Sequence, residues 1–204
     1  MTRTGGTAAG TDGLDAKLAG ALDRAGHALD AELRRRARAE GLTAMQARVI
    51  LRLAGDPVER RRVGALAAEF DLRQPTVSDA VSTLERKGLV RRQRDRDDAR
   101  VVGLELTAPG RRLAAAVGNW DERVTAALGR LERERKEALL PALLELLADL
   151  NTQRVIAEAR MCTTCRFFDR RRGSPAYCKL LEIELEAADL RVDCPEHEPR
   201  RAAA

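Results

Sequence analysis

Aromatic side chains are scarce in this chain, and their scarcity limits the folds that it can adopt. Only five of the 204 residues are aromatic, although hydrophobic residues make up 44% of the sequence. A core built from leucine, valine and alanine favours packed helices over a β-sandwich. Leucines do recur at helical spacing near the start, at positions 14, 18, 22, 29 and 33. The length allows one domain or two small ones with a real hydrophobic core.

Two short helices are predicted in the region that follows, joined by a four-residue turn. The second opens with Pro75 and ends at Gly88, which suit the first turn and the end of a helix. Thr43 is a plausible cap for the helix before them. The β-like runs 89–90 and 101–106 flank a charged segment and predict an antiparallel hairpin. This order is that of a winged helix-turn-helix.

The remaining helices indicate a dimerisation region. A long amphipathic helix is predicted over 111–135 and another over 136–160. With the helix at 14–39, they carry more apolar surface than one small winged domain can cover, which predicts a homodimer. The fold class is thus mainly α with a small β-hairpin wing. The predicted domains are a flexible N-terminus (1–12), a winged-helix and dimerisation domain (13–160, with the DNA reader at about 43–107), a cysteine-rich module (161–197) and a flexible tail (198–204).

The second helix of the pair has two faces of different chemistry. Val77, Ala80, Val81 and Leu84 form an apolar face. Short polar side chains opposite can approach base edges, and Arg or Gln can make paired contacts to guanine or adenine. The candidate DNA contacts on this helix and at its start are Arg73, Gln74, Thr76, Ser78, Asp79, Ser82, Thr83 and Arg86.

Positive charge is concentrated at the end of this helix and on the hairpin. Between Arg86 and Arg100, seven basic and three acidic residues leave an excess of four positive charges, against +5 for the whole chain. A solvated charged face is the simpler reading of such a run. Attached to a helix-turn-helix, it favours contact with a phosphate backbone. The candidates on the hairpin are Arg94, Arg96, Asp98 and Arg100.

The stretch from Val63 to Val90, VGALAAEFDLRQPTVSDAVSTLERKGLV, and the following RDRDDARVVGLELTAPGRRL resemble the MarR family of transcriptional regulators. The resemblance covers roughly residues 14–160 and is most specific in PTVSDAVSTLERKGLV. In the hairpin, Asp98 and Arg100 fit the family's Asp-x-Arg, and Leu-Thr follows at 106–107. Ala99 departs from the family, which usually has a second basic residue there. That departure weakens the expected contact to phosphate.

The resemblance implies a homodimer whose terminal helices interlock. Helix 75–87 would lie in the major groove, and Arg100, held by Asp98, would enter the minor groove. A dimer would read an inverted repeat with half-sites about one helical turn apart. Family members often bind a small aromatic or phenolic effector between the dimer and DNA-binding regions. The function predicted from the sequence is therefore a transcriptional regulator, acting as a repressor, with double-stranded DNA, a second copy and a small-molecule effector as partners.

All four cysteines lie within 33 residues near the C-terminus. They are spaced Cys162-x2-Cys165-x12-Cys178-x15-Cys194. A Cys-x2-Cys turn places two thiolates on one knuckle, where both can bind one ion. Three of the five aromatic residues lie between the first and third cysteines and supply a miniature core. This clustering predicts a metal-binding module.

Three chemistries are open for the module. Zinc could use Cys162, Cys165, Cys194 and either Cys178 or His197, because Cys194-x2-His197 is itself a knuckle. A 4Fe-4S cluster would take the four cysteines, and a metal-free thiol switch would form disulfides on oxidation. The residues lean slightly to zinc. Since the module follows the last helix directly, its metal or redox state is expected to change the spacing of the DNA-reading heads.

The sequence offers no catalytic constellation. His27 lies on the first helix without a partner motif, and no phosphate-cradling glycine loop is present, so the chain is not expected to be an enzyme. The polar N-terminus lacks the apolar stretch of a signal peptide, and the run 138–150 is too short and too polar to cross a bilayer. A cytoplasmic protein is expected. The rival interpretation is an iron–sulfur redox or protein-interaction module that retains a winged-helix fold.

Overall fold

The computed structural model describes residues 12–94, 102–170 and 175–200, and it is mainly helical, as the sequence predicts. Residues 1–11 and 201–204, predicted to be flexible, lie outside the described part. The helices are α1 (Asp12–Ala39), α2 (Ala44–Gly55), α3 (Val63–Glu69), α4 (Gln74–Arg86), α5 (Ala108–Val117), α6 (Glu122–Gly129) and α7 (Arg133–Thr152). The strands are β1 (Val90–Arg94), β2 (Val102–Leu106), β3 (Phe168–Asp169), β4 (Ala176–Cys178) and β5 (Ile183–Leu185).

A capping box starts α2. The Thr43 hydroxyl accepts a hydrogen bond from the Gln46 backbone N–H (3.2 Å), and the Gln46 side-chain oxygen accepts one from the Thr43 N–H (3.2 Å). Two backbone donors that the helix leaves unpaired are thereby satisfied. The predicted cap at Thr43 is confirmed.

The turn between α3 and α4 is tight and ends where the sequence predicts. Asp71 adopts a left-handed φ of 54°, a conformation that aspartate tolerates better than most residues. Pro75 lies in the first turn of α4, where its missing N–H has no helical partner to lose. Gly88, with φ of 67°, then lets the chain leave α4 toward β1. The predicted helix-turn-helix is confirmed.

Strands β1 and β2 form the predicted antiparallel hairpin. Val90 lies opposite Leu106 in the register, and both are buried together with Leu104. The Leu104 N–H donates to the Arg61 carbonyl at 2.6 Å. The hairpin is therefore fastened to the segment between α2 and α3.

A hydrophobic core joins the second half of α1 to α2, α3, α4, the hairpin and α5. Trp120 packs against its margin, as expected of a core residue. Gly110 marks the closest approach of α5, because a Cβ at this position would lie 2.0 Å from the Leu89 carbonyl oxygen. The largest fully buried side chains of this core are Val49, Ile50, Leu53, Leu66, Val77, Val81, Leu84, Leu104 and Val117.

The helix predicted over 111–135 is wrong as one element. The chain forms α5 and α6, separated at residues 118–121. Gly118 and Asn119 have low helix propensity. Trp120, which continues the apolar spacing, packs against the core from the turn between the two helices.

The helix predicted over 136–160 is also shorter at its end. Helix α7 begins at Arg133 and ends at Thr152. Arg154 then takes a left-handed φ of 60°, and the Asn151 amide donates to the Ile156 carbonyl at 3.1 Å. This turn sends the chain back along α7.

Parts of three helices extend beyond the core. On α1, Leu33 is buried, whereas Leu14, Leu18 and Leu22 are 59%, 54% and 42% exposed. None of the described residues of α6 is buried, and on α7 only Leu144 is. None of the described helices is both long and apolar enough to cross a bilayer.

The C-terminal module packs on α7. Its strands form an antiparallel sheet in the order β3-β4-β5, and Thr163 donates to the Leu144 carbonyl at 3.1 Å. The sequence predicts that the module ends at residue 197. In the structure Pro199 pairs with Cys165, and the Arg200 guanidinium donates to the Cys165 carbonyl at 3.1 Å. The module therefore reaches Arg200.

Candidate nucleic-acid interface and cysteine module

The face of α4 turned away from the core is polar and open to solvent. The DNA contacts predicted on α4 and at its start share this face or its margin, and none of these eight residues is fully buried. The Arg86 guanidinium donates to the Thr83 hydroxyl at 3.0 Å, and the Gln74 amide lies over Gly64 of α3. The exposed members are Arg73, Gln74, Thr76, Asp79, Ser82 and Arg86, and the half-buried ones are Ser78 and Thr83.

The hairpin arginines differ in how far neighbouring carboxylates neutralise them. Arg91 binds Glu105 through two nitrogens, at 3.0 and 2.6 Å, and Arg92 pairs with Glu85 of α4 at 2.9 Å. Arg94 is exposed and forms no ion pair with any described residue. The positive charge that the described hairpin offers to a partner is therefore greatest at Arg94. The other hairpin candidates, Arg96, Asp98 and Arg100, lie outside the described residues.

An ion-pair network joins the helix-turn-helix to the cysteine module. Asp193, which precedes Cys194, pairs with Arg52 of α2 at 2.6 Å and with Arg160 at 2.7 Å. Arg52 also pairs with Glu69, the last residue of α3. No local sequence pattern predicts this network, because Arg52 and Asp193 are 141 residues apart.

Asp56 is the buried centre of this network. It is 5% exposed, and its carboxylate lies 3.3 Å from Arg160 and 3.7 Å from Arg52. Its backbone carbonyl accepts a hydrogen bond from Arg61 at 2.8 Å. At the edge of the network, burial raises the pKa of Glu69, and this effect exceeds the opposing attraction of Arg52. The charges therefore lie in partly desolvated surroundings, where they interact more strongly than on an open surface.

All four cysteines line one small cavity in the module. They are free thiols, carried by the turn Cys162–Thr164 and the residue after it, by the end of β4 and by the loop after Asp193. As placed, no three His, Cys, Asp or Glu side chains of the described residues are grouped tightly enough to coordinate an ion. The apolar walls of the cavity are Phe167, Phe168, Leu180, Leu181 and Leu185.

Arg191 donates to two of the sulfur atoms. Its backbone N–H lies 3.2 Å from Cys162 Sγ, and its guanidinium lies 3.5 Å from Cys194 Sγ. The guanidinium also pairs with Glu196 at 2.7 Å. Burial raises the pKa of the Cys162 thiol, and the charges of the other three cysteines raise it further, against the effect of the Arg191 N–H.

His197, the alternative zinc ligand, lines a different cavity. Its Nε2 lies 3.0 Å from the Thr164 hydroxyl. The cavity that it lines has a volume of about 510 Å³ and is also bordered by Arg60, Arg160 and Arg200. Burial lowers the pKa of His197, and the positive charges of Arg160 and Arg60 add to this effect. Cys178, the other choice for the fourth ligand, lies in the cysteine cavity.

Comparison with solved structures identifies the fold. S. aureus MepR in complex with DNA superimposes with a TM-score of 0.56 at 24% identity, over 63% of this chain and 94% of that one. A MarR family regulator from Silicibacter pomeroyi gives 0.53 at 26% identity, over 63% and 86%. NadR in complex with 4-hydroxyphenylacetate gives 0.51 at 28% identity, over 74% and 96%. None of the curated proteins matches the chain at a significant level.

The sequence match is narrower than the structural one. It covers residues 40–101 and is to the MarR family. This segment holds α2, α3, α4 and β1, which carry most of the polar face and the hairpin arginines described above. Residues 40–101 thus match the MarR family in sequence, and the chain around them has the fold of solved MarR regulators.

Proposed function

We propose that this protein is a DNA-binding transcriptional regulator that represses its targets by reading an inverted-repeat operator as a homodimer. The observation that carries the proposal is the open polar face of α4 beside the arginine-bearing hairpin, with Arg92 and Glu85 joining the two elements. Short polar groups and arginines on a helix can read base edges in the major groove, and hairpin arginines can contact phosphates. The MarR match over residues 40–101 supports this use of the domain.

In this proposal DNA recognition is divided between the two elements. Ser82 and Thr76 are short and exposed, so the helix backbone can approach the base edges closely. Arg73 lies just before α4, where it can bind guanine or the phosphate backbone. Arg94 reaches the backbone from the hairpin. The base contacts set the sequence preference, and the arginine contacts set the register and the salt dependence.

Binding to DNA that flanks the gene tests the proposal. We expect the wild-type chain to prefer one flanking site over scrambled DNA by about 10³-fold or more at physiological salt. Ser82→Asp adds a negative charge on the polar face of α4 and should weaken this binding at least about 100-fold, since a like charge would face the DNA. Asn119→Asp adds the same charge in the exposed loop between α5 and α6 and should leave binding unchanged. Fluorescence anisotropy and footprinting on the same fragments measure both effects.

Two outcomes of this assay would contradict the proposal. Weak binding that is equal for all sequences would favour the rival function, an iron–sulfur redox or protein-interaction module built on a winged-helix fold. Loss of binding in Asn119→Asp as large as in Ser82→Asp would mean that bulk charge, and not the α4 face, governs binding.

The homodimer is proposed because parts of α1 and α7 extend beyond the hydrophobic core and expose apolar side chains. Leu14, Leu18 and Leu22 recur every four residues on one side of α1 and stay exposed. Leu139 and Leu146 on α7 are also 41% and 40% exposed. A two-fold symmetric partner would cover both surfaces with the same surfaces of its own. The two α4 helices would then read half-sites about 34–36 Å apart.

Charge placed on the α1 surface should break the dimer. The double variant Leu18→Glu, Leu22→Glu is expected to reduce the solution mass to that of one chain, 22.4 kDa, because two buried carboxylates would replace apolar contacts. Val58→Glu, on a residue that is 62% exposed outside these helices, should stay dimeric. Sedimentation equilibrium at micromolar concentration measures the masses. A compact monomer for the wild-type chain would end this part of the proposal.

The cysteine module is proposed to modulate operator affinity through its metal or redox state. Asp193 is covalently next to Cys194 and holds Arg52, which in turn holds Glu69 at the end of α3. The turn that leads into α4 begins immediately after Glu69. A displacement of Cys194 would therefore change the position of α4 through short, charged contacts, which is how a local chemical change biases a distant element.

The proposed regulator also binds a small-molecule effector. NadR, which shares the fold, was solved with 4-hydroxyphenylacetate. The cavity bordered by Arg60, Arg160 and His197 has a volume of about 510 Å³, within the usual range of about 300–1,000 Å³ for ligand sites. Its arginines suit a ligand that carries a carboxylate.

A further inference from the structure

We propose that the cavity lined by Cys162, Cys165, Cys178 and Cys194 is the site of a metal centre held by four thiolates, either a single zinc ion or an iron–sulfur cluster. Thiolates are the preferred ligands of both. The site stands apart from the proposed DNA-binding function, because it is argued from the module alone.

The four cysteines converge on one cavity. The four thiols come from three separate segments of the module, yet they line one cavity, and the described chain has no other cysteine. Cys165 is buried, and the other three are half-buried at the rim. As placed, the sulfurs of the described residues are not grouped tightly enough to hold an ion, so binding would require the cysteine side chains to change rotamer.

Two of the four sulfurs accept hydrogen bonds from Arg191. Four thiolates around one zinc ion carry a net charge of about −2, which needs compensation in an apolar pocket. The Arg191 backbone N–H and guanidinium donate to Cys162 and Cys194, at 3.2 and 3.5 Å. The guanidinium is shared with the Glu196 carboxylate, which lies 3.4 Å from Cys194 Sγ. Donors to ligand atoms orient and stabilise a metal site, and N–H groups aimed at sulfur also tune iron–sulfur clusters.

The module has only a small core of its own, in which Met161, Cys165 and Leu185 are buried. Its strands are two or three residues long, and Leu180, Leu181 and Ile183 are 44%, 42% and 45% exposed. A unit of this size usually needs a disulfide or a metal to fold stably. Its four cysteines are unpaired, so a metal is the cross-link that can join its segments.

The cavity itself makes zinc the simpler occupant. Its volume is about 30 Å³, enough for one ion, since a single water needs roughly 10–15 Å³ by the same measure. A cluster would require Phe167, Phe168 and the leucines to move outward. In either case each thiol releases its proton to solvent as its sulfur becomes a ligand.

Metal analysis of the full chain, purified without oxygen, tests the site. We expect about one zinc per chain in a colourless solution, or iron with an equal amount of inorganic sulfide in a brown one. Cys178→Ser should lose the metal, whereas His27→Ala, on an exposed residue of α1, should keep it. His197→Ala should keep it as well, because His197 lies outside the cavity.

A second measurement uses the wild-type chain, so that it does not depend on the folding of a variant. Chelator-treated protein titrated with Co²⁺ should bind one equivalent with sulfur-to-metal charge-transfer absorption, and bound Zn²⁺ should protect four thiols from alkylation. The site is overturned if the chain takes up neither Zn²⁺, Co²⁺ nor a cluster, or if it forms only disulfides on oxidation. It is also overturned if Cys178→Ser keeps the metal while His197→Ala loses it. No DNA enters these assays, so their failure and that of operator binding are separate.

Discussion

Gly110→Ala is expected to destabilise the protein by about 3 kcal/mol, at the upper end of the usual cost of overpacking a core. A methyl group at this position would lie 2.0 Å from the Leu89 carbonyl oxygen and 3.3 Å from the Leu106 side chain. The first contact is with backbone, which cannot rotate away. Relief requires α5 to move off the hairpin, and this movement would open the core beneath Leu106.

Thermal denaturation measures this effect. At about 2–4 °C per kcal/mol for a chain of this size, the melting temperature should fall by about 6–12 °C. Gly20→Ala is the matched control, since Gly20 is in α1 with nothing within 4 Å of its Cβ position. The free energy of unfolding of Gly20→Ala should rise by about 0.5–1 kcal/mol, because alanine has a higher helix propensity than glycine. Equal melting temperatures for Gly110→Ala and Gly20→Ala would contradict the close approach of α5 to the Leu89 carbonyl.

Asp56→Asn is expected to cost about 2–4 kcal/mol, because removing the buried carboxylate from the ion-pair network leaves the charges of Arg160 and Arg52 less fully compensated. The carboxylate is 5% exposed, and the Arg160 side chain beside it is 11% exposed. In the variant, Asp193 would be the remaining carboxylate that pairs with Arg160. Asp23→Asn is the control, since Asp23 is exposed and lies 3.8 Å from His27. It should change stability by less than about 0.5 kcal/mol.

The same variant tests the connection between the module and the DNA-reading helix. If the network transmits the state of Cys194 to α3, Asp56→Asn should alter the difference in operator affinity between metal-loaded and metal-free protein. No residue of α4 or of the hairpin is changed, so direct loss of a DNA contact cannot produce this result. An identical difference in a folded variant would contradict the proposed modulation.

Local signals are what made the helix-turn-helix and the hairpin predictable. The cap at Thr43, the proline at 75 and the glycine at 88 each satisfy a backbone requirement within a few residues. The break between α5 and α6 gave no such signal, since the apolar spacing continues through Trp120 whether the chain is one helix or two. Hydrophobic period alone does not distinguish these cases.

Long-range pairing explains what the sequence did not reveal about the candidate sites. The spacing of the cysteines predicted a module with Cys178 as a ligand and His197 as its possible substitute. The position of Cys178 depends on how β4 pairs with its neighbours, which the spacing does not show. Strands β3 to β5 are too short to show an alternating pattern. In the network, Asp56 and Arg160 are separated by 104 positions in the sequence, and Arg52 and Asp193 by 141. No sequence motif spans such a separation.

The connection between α2 and α3 differs from an ordinary surface loop. The Arg61 carbonyl accepts the hydrogen bond that fastens β2. Arg60 pairs with Glu158 and Asp56 pairs with Arg160, both in the segment that leads from α7 into the module. Surface loops usually tolerate insertions and deletions. Here one added residue would shift these three attachments relative to one another, so that the hairpin and the module could not both stay in place. The length of this short segment is therefore as constrained as the sequence of a core helix.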